Sequence, residues 1–157
     1  MLIDLFTAFA LALTLQVCVP ASFVPELADW TGPSYSPVQG EPQALAALAD
    51  LFVLLEGEGY PALVTSGYRS YEQQAWLHRQ DRTIGGLPTT APPGCSQHQL
   101  GTAFDLTIRG HSITSDHPDA VAFFTRLIEV APQFGFSHPY LEAGDYAAEP
   151  WHINYGP

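Results

Sequence analysis

The sequence contains no lysine, and its only basic residues are five arginines, against 16 acidic residues. The formal net charge is −11 at neutral pH. Proteins that bind nucleic acids or anionic lipid surfaces need a basic footprint to displace counterions. We therefore expect neither kind of partner. The acidity itself favours solubility, with adaptation to a salty medium as the other interpretation.

Charged residues of both signs make up only 13% of the chain, whereas 46% of the residues are hydrophobic. Disordered chains have the opposite balance, and 157 residues suffice for one domain with a substantial core. The two cysteines, Cys18 and Cys95, are too few for a disulfide framework. The sequence leaves open whether they form a single bridge.

No apolar run reaches the roughly 20 residues that a membrane-spanning helix needs. Residues 5–19 are mostly apolar, and small residues follow them up to Ala21, as at an export-signal cleavage site. However, Asp4 precedes the run without any basic residue, which is atypical of such signals. Residues 1–21 are interpreted as a signal peptide or an N-terminal apolar segment, and residues 22–157 as the domain.

The order of periodic segments predicts an α+β fold. Apolar residues recur at helical spacing after Pro42, and residues 71–80 and 118–130 also have helical patterns. Short apolar runs at residues 62–65, 103–108, 134–136 and 151–155 predict strands. Residues 81–97 form a long Gly- and Pro-rich loop of the kind that is usually functional. We expect a small antiparallel sheet flanked by helices.

Two short stretches contain metal-ligand chemistry. SQHQLGTAFD (96–105) supplies His98 and Asp105, and EPWH (149–152) supplies His152. Imidazoles and carboxylates are zinc ligands, and three protein ligands with an open position are typical of hydrolytic zinc sites. Glu149 lies three residues before His152, close enough to serve as a general base. His111 and His117 flank a polar loop, but the sequence alone does not favour a second metal there.

A third stretch, SGYRSYEQQ (66–74), places Arg69 at a glycine turn after a strand. An arginine there could bind a substrate carboxylate or polarise a carbonyl. It could equally form a structural ion pair with one of the acidic residues.

The three stretches in this order, SGYRSYxxQ, SxHxxGxAxD and ExWH, resemble the VanY-type D-alanyl-D-alanine carboxypeptidases. These are related to VanX dipeptidases, L,D-carboxypeptidases and some phage endolysins. The resemblance extends from about residue 23 to residue 155 and implies the α+β fold also found in the zinc domain of hedgehog proteins. The site residues that it implies are zinc ligands His98, Asp105 and His152, the base Glu149, the oxyanion- or substrate-contacting Arg69, and the carboxylate-binding Ser96 and Gln74.

The resemblance further implies one zinc ion per chain and a monomeric enzyme of the periplasm or cell envelope. Its expected activity is removal of a C-terminal D-amino acid, most simply D-alanine, from peptidoglycan stem peptides. One alternative is an endopeptidase or endolysin with the same zinc site and a cleft open at both ends. Another is a non-catalytic, zinc-stabilised binding module. Glu149 argues against that module, because a structural zinc would have a protein ligand in its fourth position.

Overall fold

A computed structural model of the chain describes residues 18–81, 83, 86–141 and 148–156. Most of the predicted signal or apolar segment, residues 1–17, lies outside the described residues. The helices are α1 (Pro42–Gly57), α2 (Tyr71–Arg79) and α3 (Pro118–Val130). The strands are β1 (Ala28–Asp29), β2 (Gln39–Gly40), β3 (Ala62–Ser66), β4 (Ala103–Ile108), β5 (Phe136–Ser137) and β6 (His152–Tyr155). Two 3-10 helices occupy Gln97–Leu100 and Ala131–Phe134.

The central sheet is antiparallel, with strand order β3-β4-β6-β5. Strand β4 lies between β3 and β6 and is buried along its whole length. In the register of β4 and β6, Asp105 lies opposite His152. Since residues opposite each other in a sheet point to the same face, this register brings two predicted ligands together.

The two faces of β4 have different roles. Phe104, Leu106 and Ile108 belong to the hydrophobic core, whereas Asp105 alternates to the other face. Ile153 of β6 joins the same core. Helices α1 and α3 supply most of the remaining core side chains, among them Leu48, Leu51, Leu55, Phe123, Leu127 and Val130. The predicted α+β architecture is confirmed, and the helices leave the opposite sheet face available for a site.

Side chains cap the N-terminal ends of α1 and α2. The Glu41 side chain caps α1 by accepting a hydrogen bond from the Ala44 amide at 2.7 Å, and Pro42 occupies the first turn, where it is tolerated. Ser70 and Gln73 form a reciprocal capping box at the start of α2. These caps fix where each helix begins.

Cys18 and Cys95 form a disulfide, which answers the question that the sequence left open. Next to it, the Val19 amide donates to the Gly94 carbonyl at 2.7 Å. Gly94 has φ +93°, and a side chain there would meet the Val19 carbonyl. The chain is therefore attached from Cys18 onward to the loop that leads to His98. Cys18 lies four residues before residue 22, where the sequence predicts the start of the domain.

Other differences from the sequence-based elements are small. The Pro-, Ser- and Gly-rich stretch after Ala21 predicts an extended segment with little regular structure up to Pro42. In the structure β1 and β2 pair there as a two-stranded ribbon. Phe134 was expected in a strand, but it ends a 3-10 helix, and β5 begins two residues later after Gly135, whose φ is +81°. Across the described ranges, every helix is too short or too polar to traverse a bilayer.

Candidate active site

His98, Asp105 and His152 converge on the sheet face opposite α1 and α3. One possible ligand atom from each lies within 4.8 Å of those of the other two. All three residues are buried, with 3%, 5% and 3% of their surfaces exposed. The structure thus brings together the three predicted metal ligands, one from a 3-10 turn and two from adjacent strands.

The His98 ring is held by the backbone of another motif. Its Nδ1 lies 2.7 Å from the carbonyl oxygen of Gly67, which accepts a hydrogen bond from it. Nδ1 therefore carries the proton, and Nε2 is left as the ligand atom, 3.4 Å from Oδ2 of Asp105. Gly101, with φ +75°, ends the 3-10 turn, a left-handed conformation that favours glycine.

The His152 ring has the opposite orientation. Its Nδ1 lies 3.1 Å from Oδ1 of Asp105, and its Nε2 lies 3.0 Å from Oε1 of Gln97. The amide oxygen of Gln97 accepts the Nε2 proton, so Nδ1 is the ligand atom. Sequence reasoning missed Gln97. Nothing but its position next to His98 marks it, because its partner is 55 residues away.

Electrostatics favour the ligand forms of these groups. Burial, together with the nearby Arg69 guanidinium, lowers the pKa of His98 to about 4. Burial acts to raise the pKa of Asp105, but the neighbouring His98 and His152 outweigh it and hold that pKa well below its usual range. Neutral imidazole and ionised carboxylate are the forms that bind metal, and this donor set fits zinc.

Arg69 contacts the ligand Asp105 directly. Its Nη2 donates to Oδ2 of Asp105 at 2.8 Å, and its Nε donates to the Ser66 hydroxyl at 3.0 Å. Its Nη1 lies 3.4 Å from Oε1 of Gln74. The Arg69 side chain still has 21% of its surface exposed, and Arg69 lines the cavity described below. Arg69 therefore forms the structural ion pair that the sequence left open, and its cavity-facing surface remains available for a ligand.

Glu149 lies beside the three ligands. Its Oε2 is 4.0 Å from Nδ1 of His152, and 16% of its side-chain surface is exposed. The turn that places it is fixed by two hydrogen bonds, from the Glu149 amide to the Tyr140 carbonyl at 2.7 Å and from the His152 amide to the Glu149 carbonyl at 3.1 Å. Burial raises the pKa of Glu149 to about 7. A carboxyl group with such a pKa can both take and return a proton near neutral pH.

A cavity of about 560 Å³ opens over these residues. Its walls include all seven residues singled out from the sequence: Arg69, Gln74, Ser96, His98, Asp105, Glu149 and His152. Gln74 is almost fully buried, and its Nε2 donates to the Ala91 carbonyl at 2.9 Å. Gln74 therefore ties Arg69 to the loop before Ser96, in addition to lining the cavity.

Two neighbouring aromatic side chains also line the cavity. Trp151 packs against the core and also lines the cavity. The Tyr140 ring lies 5.0 Å from the His152 ring and also lines the cavity. His138, in the loop after β5, is half-buried, and burial lowers its pKa to about 4.

Residues 38–157 match the family described as VanY, D-alanyl-D-alanine carboxypeptidase. The chain belongs to this family. The match contains every ligand and wall residue named above. The VanY-type resemblance of the three motifs is thus confirmed at the level of the family, which is one of hydrolases that act as carboxypeptidases.

Individual VanY-family relatives are moderately similar. The chain is 30% identical over 122 residues to YodJ of Bacillus subtilis (strain 168). It is 29% identical over 127 residues to the D-alanyl-D-alanine carboxypeptidase of Enterococcus faecalis (strain ATCC 700802 / V583). These alignments cover 72% and 69% of this chain. The chain spans only 45% of the length of each of these relatives.

Solved structures share the fold of this VanY-family chain. The LdcB LD-carboxypeptidase superposes with a TM-score of 0.74 at 26% identity, over 88% of this chain and 72% of that one. The E175A mutant of the D,D-pentapeptidase VanY, solved in complex with Zn(II), superposes with a TM-score of 0.70 at 26% identity, over 89% and 83%.

Proposed function

We propose that this protein is a zinc metallo-carboxypeptidase that removes a C-terminal D-amino acid, D-alanine in the simplest case, from peptidoglycan stem peptides. The observation that carries the proposal is the arrangement of His98, Asp105 and His152 around one point with Glu149 beside them. A structural zinc site has four protein ligands, whereas three ligands with an adjacent carboxylate are typical of hydrolytic sites.

We infer one zinc ion per chain, held by His98 Nε2, His152 Nδ1 and the Asp105 carboxylate. The support is that both rings have their other nitrogen engaged, by Gly67 and by Gln97. When bound, zinc supplies Lewis-acid chemistry, lowering the pKa of water toward about 7 and polarising a carbonyl group. The VanY structure solved with Zn(II) adds support by similarity.

Glu149 is assigned as the general base and then the general acid. Its carboxylate accepts a proton from the attacking water and passes it to the nitrogen of the leaving amino acid. The buried position of Glu149, which raises its pKa to about 7, makes both transfers accessible near neutral pH. Arg69 orients Asp105 through its 2.8 Å contact, and its exposed part faces the same cavity.

Recognition of the free C-terminus is assigned to Arg69, with Ser96 and Gln74 nearby in the cavity wall. A guanidinium can bind a carboxylate through two parallel hydrogen bonds. A structural neighbour, VanYB, has been solved in complex with D-alanine-D-alanine, and it superposes with a TM-score of 0.70 at 25% identity. The same substrate class is proposed for this chain.

The proposed site of action is the periplasm, the cell envelope or the extracellular space, where peptidoglycan is accessible. The Cys18–Cys95 disulfide supports this location, because disulfides persist mainly in oxidising compartments. A monomer is proposed, since all the site residues named above come from one chain.

The test is product analysis on two matched stem pentapeptides ending in D-alanyl-D-alanine, one with a free terminal carboxylate and one amidated. We expect zinc-loaded protein to release D-alanine from the free acid and to cleave the amide far more slowly, because the amide lacks the carboxylate. Equal rates on both peptides would contradict the carboxypeptidase proposal. Cleavage inside the stem peptide would assign the chain as an endopeptidase with the same zinc site.

A further inference from the structure

A second group of metal-ligating side chains lies away from the proposed zinc site. His111, His117 and Asp119 place one possible ligand atom each within 4.8 Å of one another. The rings of His111 and His117 are 4.6 Å apart between centroids, and Nδ1 of His117 lies 3.6 Å from Oδ2 of Asp119. His117 and Asp119 are exposed, with 54% and 71% of their side-chain surfaces accessible.

These residues stand at the two ends of one loop. His111 follows β4, and its carbonyl oxygen accepts a hydrogen bond from the Thr107 hydroxyl at 3.1 Å. His117 caps the start of α3 by accepting the Asp119 amide proton at Nδ1, 3.3 Å away, and Asp119 lies in the first turn of that helix. A metal ion held by Nδ1 would replace this hydrogen bond. Both ends of the loop are therefore anchored on regular structure, so the fold holds His111 beside His117 and Asp119, which are neighbours in sequence.

The loop between the two histidines reaches the proposed active site. Ile113 and Thr114 line the same cavity as Glu149 and His152. An ion bound by His111 and His117 would join the two ends of this loop. The position of Ile113 and Thr114 in the cavity wall would then depend on whether that ion is bound.

We propose that His111, His117 and Asp119 form a second, solvent-accessible site for a divalent transition-metal ion such as Zn²⁺, separate from the His98–Asp105–His152 site. Two imidazoles and one carboxylate are ligands that Zn²⁺ and its neighbours in the first transition row accept. Water would complete the coordination, because the group faces solvent. The net charge of −11 favours cations at this surface. We expect weaker binding here than at the buried site.

The test is a titration of metal-free, full-length protein with Zn²⁺, followed by isothermal calorimetry and by metal analysis. The decisive variant carries His111→Asn and His117→Asn, and asparagine at position 117 preserves a good helix cap. We expect two ions per chain for the unmodified protein and one for the double variant. His78→Asn, which alters an exposed histidine on α2, is the matched control and should retain two.

The measurements can contradict the proposal of either metal site without contradicting the other. A single ion in both the unmodified protein and the double variant would overturn the second site and leave the first intact. Two ions in both proteins would equally overturn the assignment to these histidines. In His152→Ala we expect the weaker ion alone to remain; retention of both would contradict the first site instead. As a measurement that does not rely on stoichiometry, Cu²⁺ is added in small amounts to protein whose buried site already holds one Zn²⁺. It should broaden the imidazole NMR signals of His111 and His117, and sharp signals would overturn the proposal.

Discussion

The amide oxygen of Gln97 lies 3.0 Å from Nε2 of His152, so a residue next to one predicted ligand orients another predicted ligand 55 positions along the chain. Because the Nε2 proton is donated to Gln97, the lone pair of His152 Nδ1 faces Asp105 and the proposed metal. His98 is held in a complementary way by the Gly67 carbonyl.

Replacing Gln97 should therefore weaken zinc binding without removing a ligand. Loss of a partner that orients a ligand typically costs 10–100-fold in metal affinity. We expect Gln97→Ala to lower zinc affinity by about that factor, measured by competition with a chromogenic chelator. Gln43→Ala, on the exposed side of α1, should bind zinc like the unmodified protein. Equal zinc affinities for the two variants would contradict the role of Gln97 in orienting His152.

Glu149→Gln separates binding from chemistry. Glutamine preserves the shape of the side chain but cannot accept the proton, and loss of a general base typically costs 10²–10⁴-fold in rate. We expect turnover on a stem pentapeptide to fall by about that factor, with one zinc still bound at the buried site. Loss of that zinc would show that Glu149 is a ligand, and unchanged turnover would contradict its role as the base.

Arg69→Lys tests the guanidinium rather than the charge. Arg69 reaches Asp105, Ser66 and Gln74 through three different nitrogens, which a single ammonium group cannot reproduce. Hydrogen bonds to charged groups contribute about 1.5–3 kcal/mol, so kcat/KM should fall by about 10–100-fold. Arg79→Lys, at the exposed end of α2, is the control and should retain full activity. Similar kinetics for both variants would exclude a geometric role for Arg69.

The stability of the metal-free protein should increase as the pH rises from about 4.5 to 6.5. Burial lowers the pKa values of His98 and His138 from 6.5 to about 4, so across this interval the unfolded chain binds more protons at both positions. Burial raises the pKa of Glu149 from 4.5 to about 7, which has the opposite effect at one position. Two histidines therefore outweigh one glutamate.

Urea unfolding at several pH values measures this dependence. The variant His138→Asn removes one of the two histidine contributions, so its free energy of unfolding should be nearly constant over the same interval. A slope in His138→Asn as steep as in the unmodified protein would show that His138 does not contribute.

The disulfide should stabilise the domain and determine where the mature chain begins. A bridge that closes a loop of this length, 77 residues, typically contributes about 2–4 kcal/mol. We expect Cys95→Ser to lose about that amount in chemical unfolding. Cleavage after Ala21 would separate Cys18 from the domain backbone. We therefore predict that secreted protein, analysed by N-terminal sequencing after reduction, still begins at or before Cys18, and a start at Ser22 would contradict this.

Sequence reasoning succeeded where the signal was local. The bounds of β4 and α3 were predicted to the residue, because an apolar run ended by Gly110 and a Pro-initiated periodic segment are short-range patterns. The residues of the candidate site were found through three motifs rather than through the fold. The strand pairing that brings Asp105 opposite His152 depends on residues 47 positions apart.

What the sequence could not predict are contacts between side chains that are distant along the chain. Three examples are the hydrogen bond between Gln97 and His152, the ion pair between Arg69 and Asp105, and the Cys18–Cys95 disulfide. Each depends on the final register of the sheet or on the path of a long loop. The pairing of β1 and β2 was also missed, because two-residue strands have too few residues to show alternation.

The register of β4 and β6 has a consequence for folding. If β6 slipped by one residue against β4, His152 would point into the hydrophobic core and Ile153 would take its place beside Asp105. An ion that requires both Asp105 and His152 can be bound only when the two strands pair in the correct register. Its binding free energy would therefore stabilise the correct register and no misaligned intermediate. Zinc present during refolding would therefore stabilise the correct strand alignment selectively, adding to the preference that the hydrophobic pattern already sets.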